Sequence, residues 1–213
     1  MDDPDRAGFP RRLSKARAFV YVVPRRDDSV FKIGFARDPI ERWRNLHGRF
    51  FRFFDLDLGV LVEAVRVVEA RSLERALLRR FGAYTALQPV EIEAAPGGAG
   101  EWRRGVLDDV IAAAVEMAEA SDMIVHRPAA LWLRAHLLGR GDLLHAWSAR
   151  MVEQAEAESA YLSGAHASPA VRAINDMLDA YAIVGIDVAP MLPASVNAWI
   201  ANHRGLAQKT GRL

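Results

Sequence analysis

Two short apolar runs near the start of the chain predict a β-hairpin. Residues 18–23 and 30–34 are rich in β-branched and aromatic side chains, whereas residues 25–29 between them are polar. Pro24 ends the first run. The fold is therefore expected to begin with two paired antiparallel strands.

A helix is expected directly after the hairpin. Asp38 is a suitable N-cap, Pro39 suits the first helical position, and Glu41 follows three residues after the cap. The helix should end near Gly48. The apolar spacing beyond it predicts a strand over 59–68, a helix over 70–81, irregular chain over 83–101 and a helix over 106–120.

The remainder of the chain has the periodicity of helices, predicted over 128–138, 142–162, 169–184 and 195–203. These patterns divide the chain into three parts. Residues 1–16 form an N-terminal extension, residues 17–120 an α+β domain, and residues 121–213 an all-α accessory domain, with residues 126–128 as the alternative boundary between the two domains. The α+β domain should contain a small antiparallel or mixed three-stranded sheet flanked by helices.

Composition narrows the function classes. The chain has no cysteine, which excludes a disulfide scaffold, a cysteine zinc site and a cysteine nucleophile. No apolar run reaches the roughly 20 residues that a membrane helix needs, and the N-terminus is acidic where a signal peptide is basic. We therefore expect a cytoplasmic protein that does not act at a membrane.

Charge is distributed unevenly although the net charge is only +1. Residues 11–80 hold 17 Lys or Arg against 9 Asp or Glu. Such a segment is typical of a protein that binds a polyanion, although a solvated arginine-rich surface is the alternative. Only three of the 28 basic residues are lysines. Lys32 is notable among them because an amine, unlike a guanidinium, can lose its proton.

Four residues are candidates for chemistry. Glu74 falls on the apolar stripe of its predicted helix, where it needs either an arginine partner or a divalent metal ion. Arg42 can either fork onto a phosphate or extend over Trp43. Tyr21 and Lys32 lie on the two hairpin strands, and each could accept a proton from water if its pKa were lowered. Core packing is the alternative for Tyr21.

The order of these residues resembles the GIY-YIG nuclease superfamily. Phe19-Val20-Tyr21, Lys32-Ile33-Gly34, Arg42 and Glu74 follow its sequence of motifs. Gly100-Glu101-Trp102 also fits, and the match is to the phage and bacterial branch in which Lys-Ile-Gly replaces Tyr-Ile-Gly. Arg103 departs from that branch, which often has phenylalanine there. The resemblance covers about residues 17–115.

The resemblance implies a divalent-metal-dependent endonuclease. Glu74 would hold one Mg²⁺ or Mn²⁺, Arg42 would stabilise charge on the phosphoryl oxygens, and either Tyr21 or Lys32 would accept the proton of the attacking water. Of these two, Tyr21 is slightly favoured. The expected substrate is DNA, with RNA as the other possibility. Arg37, Arg44 and Arg49 are predicted to contact the nucleic acid.

Two alternatives stay open at this stage. A domain of this type could bind or sense nucleic acid without cutting it, or it could serve as the scaffold of a helical adaptor. The helical C-terminal part contains Trp132, Trp147 and Trp199, which suit a homodimer contact or the docking of a partner protein. Its scattered histidines have no carboxylates at ligand spacing and predict no metal site.

Overall fold

The computed structural model describes residues 17–93, 98–159 and 168–210. The expected N-terminal extension, residues 1–16, lies outside the described residues. So do residues 160–162, the end of the helix expected over 142–162, and residues 94–97 of the irregular stretch. The chain divides into two compact units, one ending at Trp132 and one beginning at Leu133.

The first unit is an α+β fold with an antiparallel sheet, as expected. The sheet has five strands where three were predicted: β1 (Ala18–Pro24), β2 (Val30–Ala36), β3 (Val60–Ala64), β4 (Trp102–Arg104) and β5 (Ile124–His126). Their order is β4-β2-β1-β3-β5, and every neighbouring pair is antiparallel. The unpredicted edge strands β4 and β5 have three residues each, which is too short to produce a recognisable alternation.

The first unit extends past the predicted boundary at 120 because β5 pairs with β3. Its helices are α1 (Pro39–Leu46), α2 (Phe50–Phe53), α3 (Val67–Arg80) and α4 (Leu107–Glu119). A fifth helix, α5 (Ala129–Leu138), contains the point at which the two units divide. Two 3-10 turns, Gly82–Tyr84 and Ala99–Glu101, lie within the stretch expected to be irregular.

Side-chain caps fix where α1 and α3 begin. The Asp38 carboxylate accepts a hydrogen bond from the backbone N–H of Glu41 at 3.0 Å, and Pro39 is the first helical residue, as predicted. At α3, the Glu69 carboxylate accepts from the backbone N–H of Arg66 at 3.0 Å. This cap starts the helix at Val67 and explains why the strand expected over 59–68 ends at Ala64.

The two faces of the sheet have different partners. Alternate residues of β1 (Ala18, Val20 and Val22) pack with Ile33 and Val62 against apolar side chains of α3 and α4. The other face carries Tyr21, Lys32 and Trp102, since Lys32 is opposite Trp102 and Tyr21 is opposite Gly34 in the strand register. Strand alternation therefore places the two hairpin candidates on one face.

Aromatic side chains cover this second face. The Tyr21 and Trp43 rings meet edge to face with 6.0 Å between their centroids. Phe54 stacks on Trp102 at 6.5 Å, and Phe19 contacts Trp132 at 5.3 Å. Trp43 is completely buried, so α1 is held firmly above Tyr21.

The second unit is helical throughout its described residues. It contains α6 (Gly141–Ser159), α7 (Pro169–Ile183), a 3-10 turn (Ala189–Met191) and α8 (Ala194–Thr210). Leu144, Ile174, Leu178 and Val196 are among the buried residues of its core. Within the described parts of both units, no helix is long and apolar enough to cross a membrane.

Candidate active site

An open cleft lies at the end of β2. Strand β4 pairs only with Val30, Phe31 and Lys32, so the later residues of β2 are not covered on that side by β4. The cleft has a volume of about 480 Å³, and its lining includes Arg37 and Arg42 from the start of α1, Arg71 and Glu74 from α3, and Glu101. Two of the four predicted catalytic residues thus face one cavity.

Glu74 is a buried carboxylate at the cleft wall. It is 8% exposed and lies on α3 beside the buried residues Leu73 and Leu77, as the helical stripe predicted. Burial raises its pKa to about 6, and the nearby Glu101 charge adds to the rise. A hydrogen bond from the backbone N–H of Phe35 and the charge of Lys32 act in the opposite direction.

An arginine partner for Glu74, one of the two alternatives that the sequence left open, is not found among the described residues. Within residues 17–93, 98–159 and 168–210, Glu74 makes no ion pair. Arg75, the adjacent residue, lowers the Glu74 pKa only through its charge. The described residues supply no ion pair for Glu74, so of the two alternatives, an arginine and a divalent metal ion, the arginine is absent there. The Glu74 carboxylate therefore remains able to bind a ligand in the cleft.

Lys32 is completely buried and paired with Glu101. Its Nζ lies 2.6 Å from Oε2 of Glu101 and 5.1 Å from the ring centroid of Trp102. Burial lowers the pKa of Lys32, and the Arg42 charge lowers it further, while Glu101 and Glu74 raise it. Burial has the largest effect, so the amine loses its proton more readily than an exposed lysine.

Glu101 is the functional candidate that sequence reasoning missed. It was noted only as part of a motif, because it precedes a strand too short to predict. Its position follows from the register: Trp102 lies opposite Lys32, so the residue before Trp102 meets the lysine amine. The signal that could have identified Glu101 is that a buried lysine such as Lys32 needs an acidic partner, and Glu101 is the acid of the Gly100-Glu101-Trp102 motif.

Arg103 fixes the segment that carries Glu101. It is 3% exposed, and its guanidinium donates to the backbone carbonyls of Leu78 at 2.9 Å, Gly100 at 2.8 Å and Trp102 at 2.8 Å. These bonds tie the 3-10 turn Ala99–Glu101 to the end of α3. Arg103, which occupies a position where the expected pattern often has phenylalanine, is thus a structural anchor that keeps Glu101 at the same cleft as α3.

The buried Tyr21 ring packs directly on Gly34, where there is no room for a larger residue. A Cβ atom at Gly34 would lie 2.5 Å from the Tyr21 hydroxyl oxygen and 2.6 Å from Cζ, both closer than real contacts allow. The glycine of Lys-Ile-Gly is therefore what makes room for the tyrosine. The hydroxyl is buried, and the Arg42 side chain approaches it as a hydrogen-bond donor. Burial raises the Tyr21 pKa, and the Arg42 charge partly opposes this.

Arg42 lines the cleft with Glu74 and also acts electrostatically on the two hairpin residues, Tyr21 and Lys32. It is half-buried, lines the cleft and makes no ion pair within the described part of the chain. Its charge lowers the pKa of both Tyr21 and Lys32. Glu74 acts on the same two groups with the opposite sign. The structure therefore brings Tyr21, Lys32, Arg42 and Glu74 within electrostatic range of one another.

The three arginines predicted to contact nucleic acid are placed differently. Arg37 lines the cleft. Arg44 is exposed on α1 and belongs to a separate depression with Gly48, while Arg49 is exposed just before α2. Neither Arg44 nor Arg49 is among the described residues that line the cleft.

The donor set suits a hard divalent cation held by few protein ligands. No group of three or more His, Asp or Glu side chains able to hold a metal occurs in the described ranges. Glu74 is free of ion pairs there, and a second carboxylate, Glu101, is close enough to raise its pKa. Magnesium characteristically binds one or two carboxylates and takes water and phosphate oxygens for the rest. Glu74 fits that role.

Comparison with known proteins identifies no relative: no protein-family model, no curated protein and no solved structure matches the chain.

Proposed function

We propose that this protein is a divalent-metal-dependent endonuclease of the GIY-YIG type that hydrolyses phosphodiester bonds of nucleic acid, with DNA as the expected substrate. The observation that carries the proposal is the convergence of Arg42, Glu74 and Glu101 on one open cleft, with the buried Lys32 paired to Glu101. In this proposal β1, β2 and β3 form the three-stranded GIY-YIG sheet, and β4 and β5 are additions at its edges.

The cleft supplies the charge that phosphodiester hydrolysis requires. Arg42 lines the cavity, where its guanidinium can stabilise the charge that develops on the phosphoryl oxygens. Glu74 would hold Mg²⁺ or Mn²⁺. When bound, the metal ion supplies Lewis-acid stabilisation of the phosphate and of the leaving oxygen.

Lys32 is the proton acceptor that the electrostatics support, in place of the slightly favoured Tyr21. The Tyr21 pKa is raised by burial, so its hydroxyl keeps its proton at neutral pH and does not serve as the proton acceptor. The Lys32 pKa is lowered by burial. Lys32 does not line the cleft, so the proton of the attacking water would reach a neutral Lys32 amine through Glu101, which does line it and whose Oε2 lies 2.6 Å from Nζ.

The test is a cleavage assay with a matched pair of variants. Purified protein is incubated with supercoiled plasmid or labelled RNA in Mg²⁺, in Mn²⁺ and in EDTA. Wild type should cut in metal only, and Glu74→Gln should cut about 10² to 10³-fold more slowly, the scale expected for loss of transition-state charge stabilisation. The control is Glu116→Gln, which removes the same charge from an exposed residue of α4.

Two results would contradict the proposal. Metal-dependent cleavage by Glu74→Gln at the wild-type rate would remove the assigned metal ligand. Binding of nucleic acid by wild type without cleavage in either metal would favour the non-catalytic binding module instead.

A further inference from the structure

Three arginines of α3 form a row on its solvent side, which we call the α3 arginine row: Arg71, Arg75 and Arg79. They are spaced four residues apart and therefore share one face of the helix, with about 6 Å of rise between neighbours. All three are exposed. The sequence prediction did not single them out, since it placed the nucleic-acid contacts around α1.

The row is not neutralised by the rest of the described chain. None of its three members makes an ion pair in the described ranges, whereas Arg80 of the same helix lies 3.6 Å from Glu116 and Arg66 contacts Glu69. Like charges one helical turn apart destabilise a helix. Helix α3 thus carries two unfavourable neighbour pairs that a bound anion would relieve.

The row begins at the catalytic cleft. Arg71 lines the cleft together with Glu74. It also lines an adjoining surface depression shared with Arg75 and Arg79. The Arg71 guanidinium is positioned 5.0 Å from the centroid of the Phe35 ring, another cleft residue. The row therefore extends from the cleft along the surface of α3.

We propose that the α3 arginine row binds the sugar–phosphate backbone of the nucleic-acid strand whose scissile phosphate lies in the cleft. This inference rests on the proposed function. A guanidinium binds a phosphate through two parallel hydrogen bonds. The row spans about 12 Å of helix axis. That length covers roughly three to four nucleotides of a B-form strand, at 3.4 Å per nucleotide.

This position determines what the row can recognise. Its contacts are to phosphates, which carry no sequence information, so the row fixes the strand's path and leaves base preference unchanged. Binding through the row should depend strongly on salt, because each neutralised phosphate releases condensed counterions. Arg44 and Arg49 line neither the cleft nor the depression that adjoins it, so they would contribute less than the row does.

The test measures binding without turnover. Arg71→Gln, Arg75→Gln and Arg79→Gln are combined in one variant, since glutamine keeps good helix propensity while it removes the charge. Fluorescence anisotropy with labelled DNA in EDTA gives Kd over a series of KCl concentrations. The matched control combines Arg134→Gln, Arg140→Gln and Arg150→Gln, three exposed arginines of the second unit. Thermal melts followed by circular dichroism verify folding.

The expected result is a change in the salt dependence. The slope of log Kd against log salt should fall by about 2 for single-stranded DNA or about 2.7 for duplex in the α3 variant, at 0.7 to 0.9 per phosphate contact. The control should keep the wild-type slope. An unchanged slope in the α3 variant would overturn the inference, and so would absence of binding by wild type at low salt.

The two proposals fail in different ways. If the α3 variant shows the predicted fall in slope but wild type does not cleave DNA in metal, the proposed function fails and the α3 arginine row remains supported. If wild type cleaves and the α3 variant shows the wild-type slope, the row fails and the endonuclease stands.

Discussion

The two units of the molecule bury different kinds of polar side chain. The first unit buries Lys32, Glu74 and Arg103, all of them charged residue types. Among the described residues of the second unit, only Ser148 and Ser168 are buried polar residues. Both serines bond locally: Ser148 donates to the carbonyl of His145 at 3.0 Å, and Ser168 accepts from the N–H of Val171 at 3.1 Å.

This difference in buried polar residues indicates that the first unit bears the free-energy cost of burying charged groups, as a functional site does. A serine bonded within its own helix or cap loses little on burial, whereas a buried amine or carboxylate loses strong hydration. The first unit compensates Arg103 with three backbone carbonyls and Lys32 with Glu101. Glu74 has no such ion pair in the described ranges, and its pKa is raised. Uncompensated burial of this kind is characteristic of active sites.

The largest effect is expected at Lys32. Both Lys32→Met and Lys32→Arg should lower kcat by about 10² to 10⁴, the range for loss of a general base. Arginine keeps the charge and the Glu101 partner but cannot give up its proton. Initial cleavage rates of the two variants in Mg²⁺ measure this effect. Near-wild-type activity of Lys32→Arg would show that Lys32 acts only through its charge.

Glu101→Gln provides the second arm of that experiment. Glu101 raises the Lys32 pKa, so its removal should lower that pKa and move the acid limb of the kcat profile to lower pH. Glu101→Asp should restore much of the wild-type profile because it keeps the charge. A residue that only stabilised the fold would change the melting temperature and leave the acid limb in place.

A Cβ at position 34 should disturb the Tyr21 side of the site. Gly34→Ala is expected to reduce the free energy of unfolding by about 1 to 3 kcal/mol, because the buried ring opposite cannot easily move. Gly48→Ala is the control, since nothing lies within 4 Å of its added Cβ. Urea denaturation measures both. Equal costs for the two substitutions would contradict the packing of Tyr21 on Gly34.

Glu74 should make the metal-free protein less stable as pH rises. Its pKa is raised on folding from 4.5 to about 6, so the folded state favours the protonated form. That contribution is present below pH 4.5 and is lost as pH rises through about 6. Above pH 6 in EDTA, Glu74→Gln should therefore be more stable than wild type by up to about 2 kcal/mol.

Denaturation curves from pH 4 to pH 8 test this dependence. The stability difference between Glu74→Gln and wild type should shrink toward low pH, and Mg²⁺ should stabilise wild type but not the variant. A difference that is independent of pH would contradict the burial of an ionisable carboxylate at this position.

The smallest effect is expected at the buried serines of the second unit. Ser168→Ala removes the N-cap of α7 and should cost about 1 kcal/mol of stability, with cleavage by the folded protein unchanged. Thermal melts and cleavage rates measure the two properties. A loss of kcat as large as that of Lys32→Met would contradict the assignment of chemistry to the first unit alone.

Local signals in the sequence were sufficient to predict much of the secondary structure of the first unit. The alternation of β1 and β2, the Asp38 cap and the position of Glu74 on an apolar stripe depend on neighbouring residues only, and the structure agrees with each. The helix α2 was not predicted, because four residues are too few to show a helical period. The short edge strands were missed for the same reason.

The contacts within the site depend on tertiary structure. The Lys32–Glu101 pair exists because β4 adds to the edge of β2 in one register, and no local pattern specifies that register. The open edge of β2 follows from how early β4 stops. The arginine row on α3 was visible as a four-residue spacing, but its importance depends on Arg71 reaching the cleft.

The most direct test of the central claim is an anomalous diffraction map of crystals grown with Mn²⁺ and a phosphorothioate oligonucleotide that resists cleavage. The account predicts a manganese peak bonded to the Glu74 carboxylate and to a phosphate oxygen, with the Arg42 guanidinium on the same phosphate. A phosphate bound in the cleft with no manganese at Glu74, or manganese held elsewhere, would contradict it.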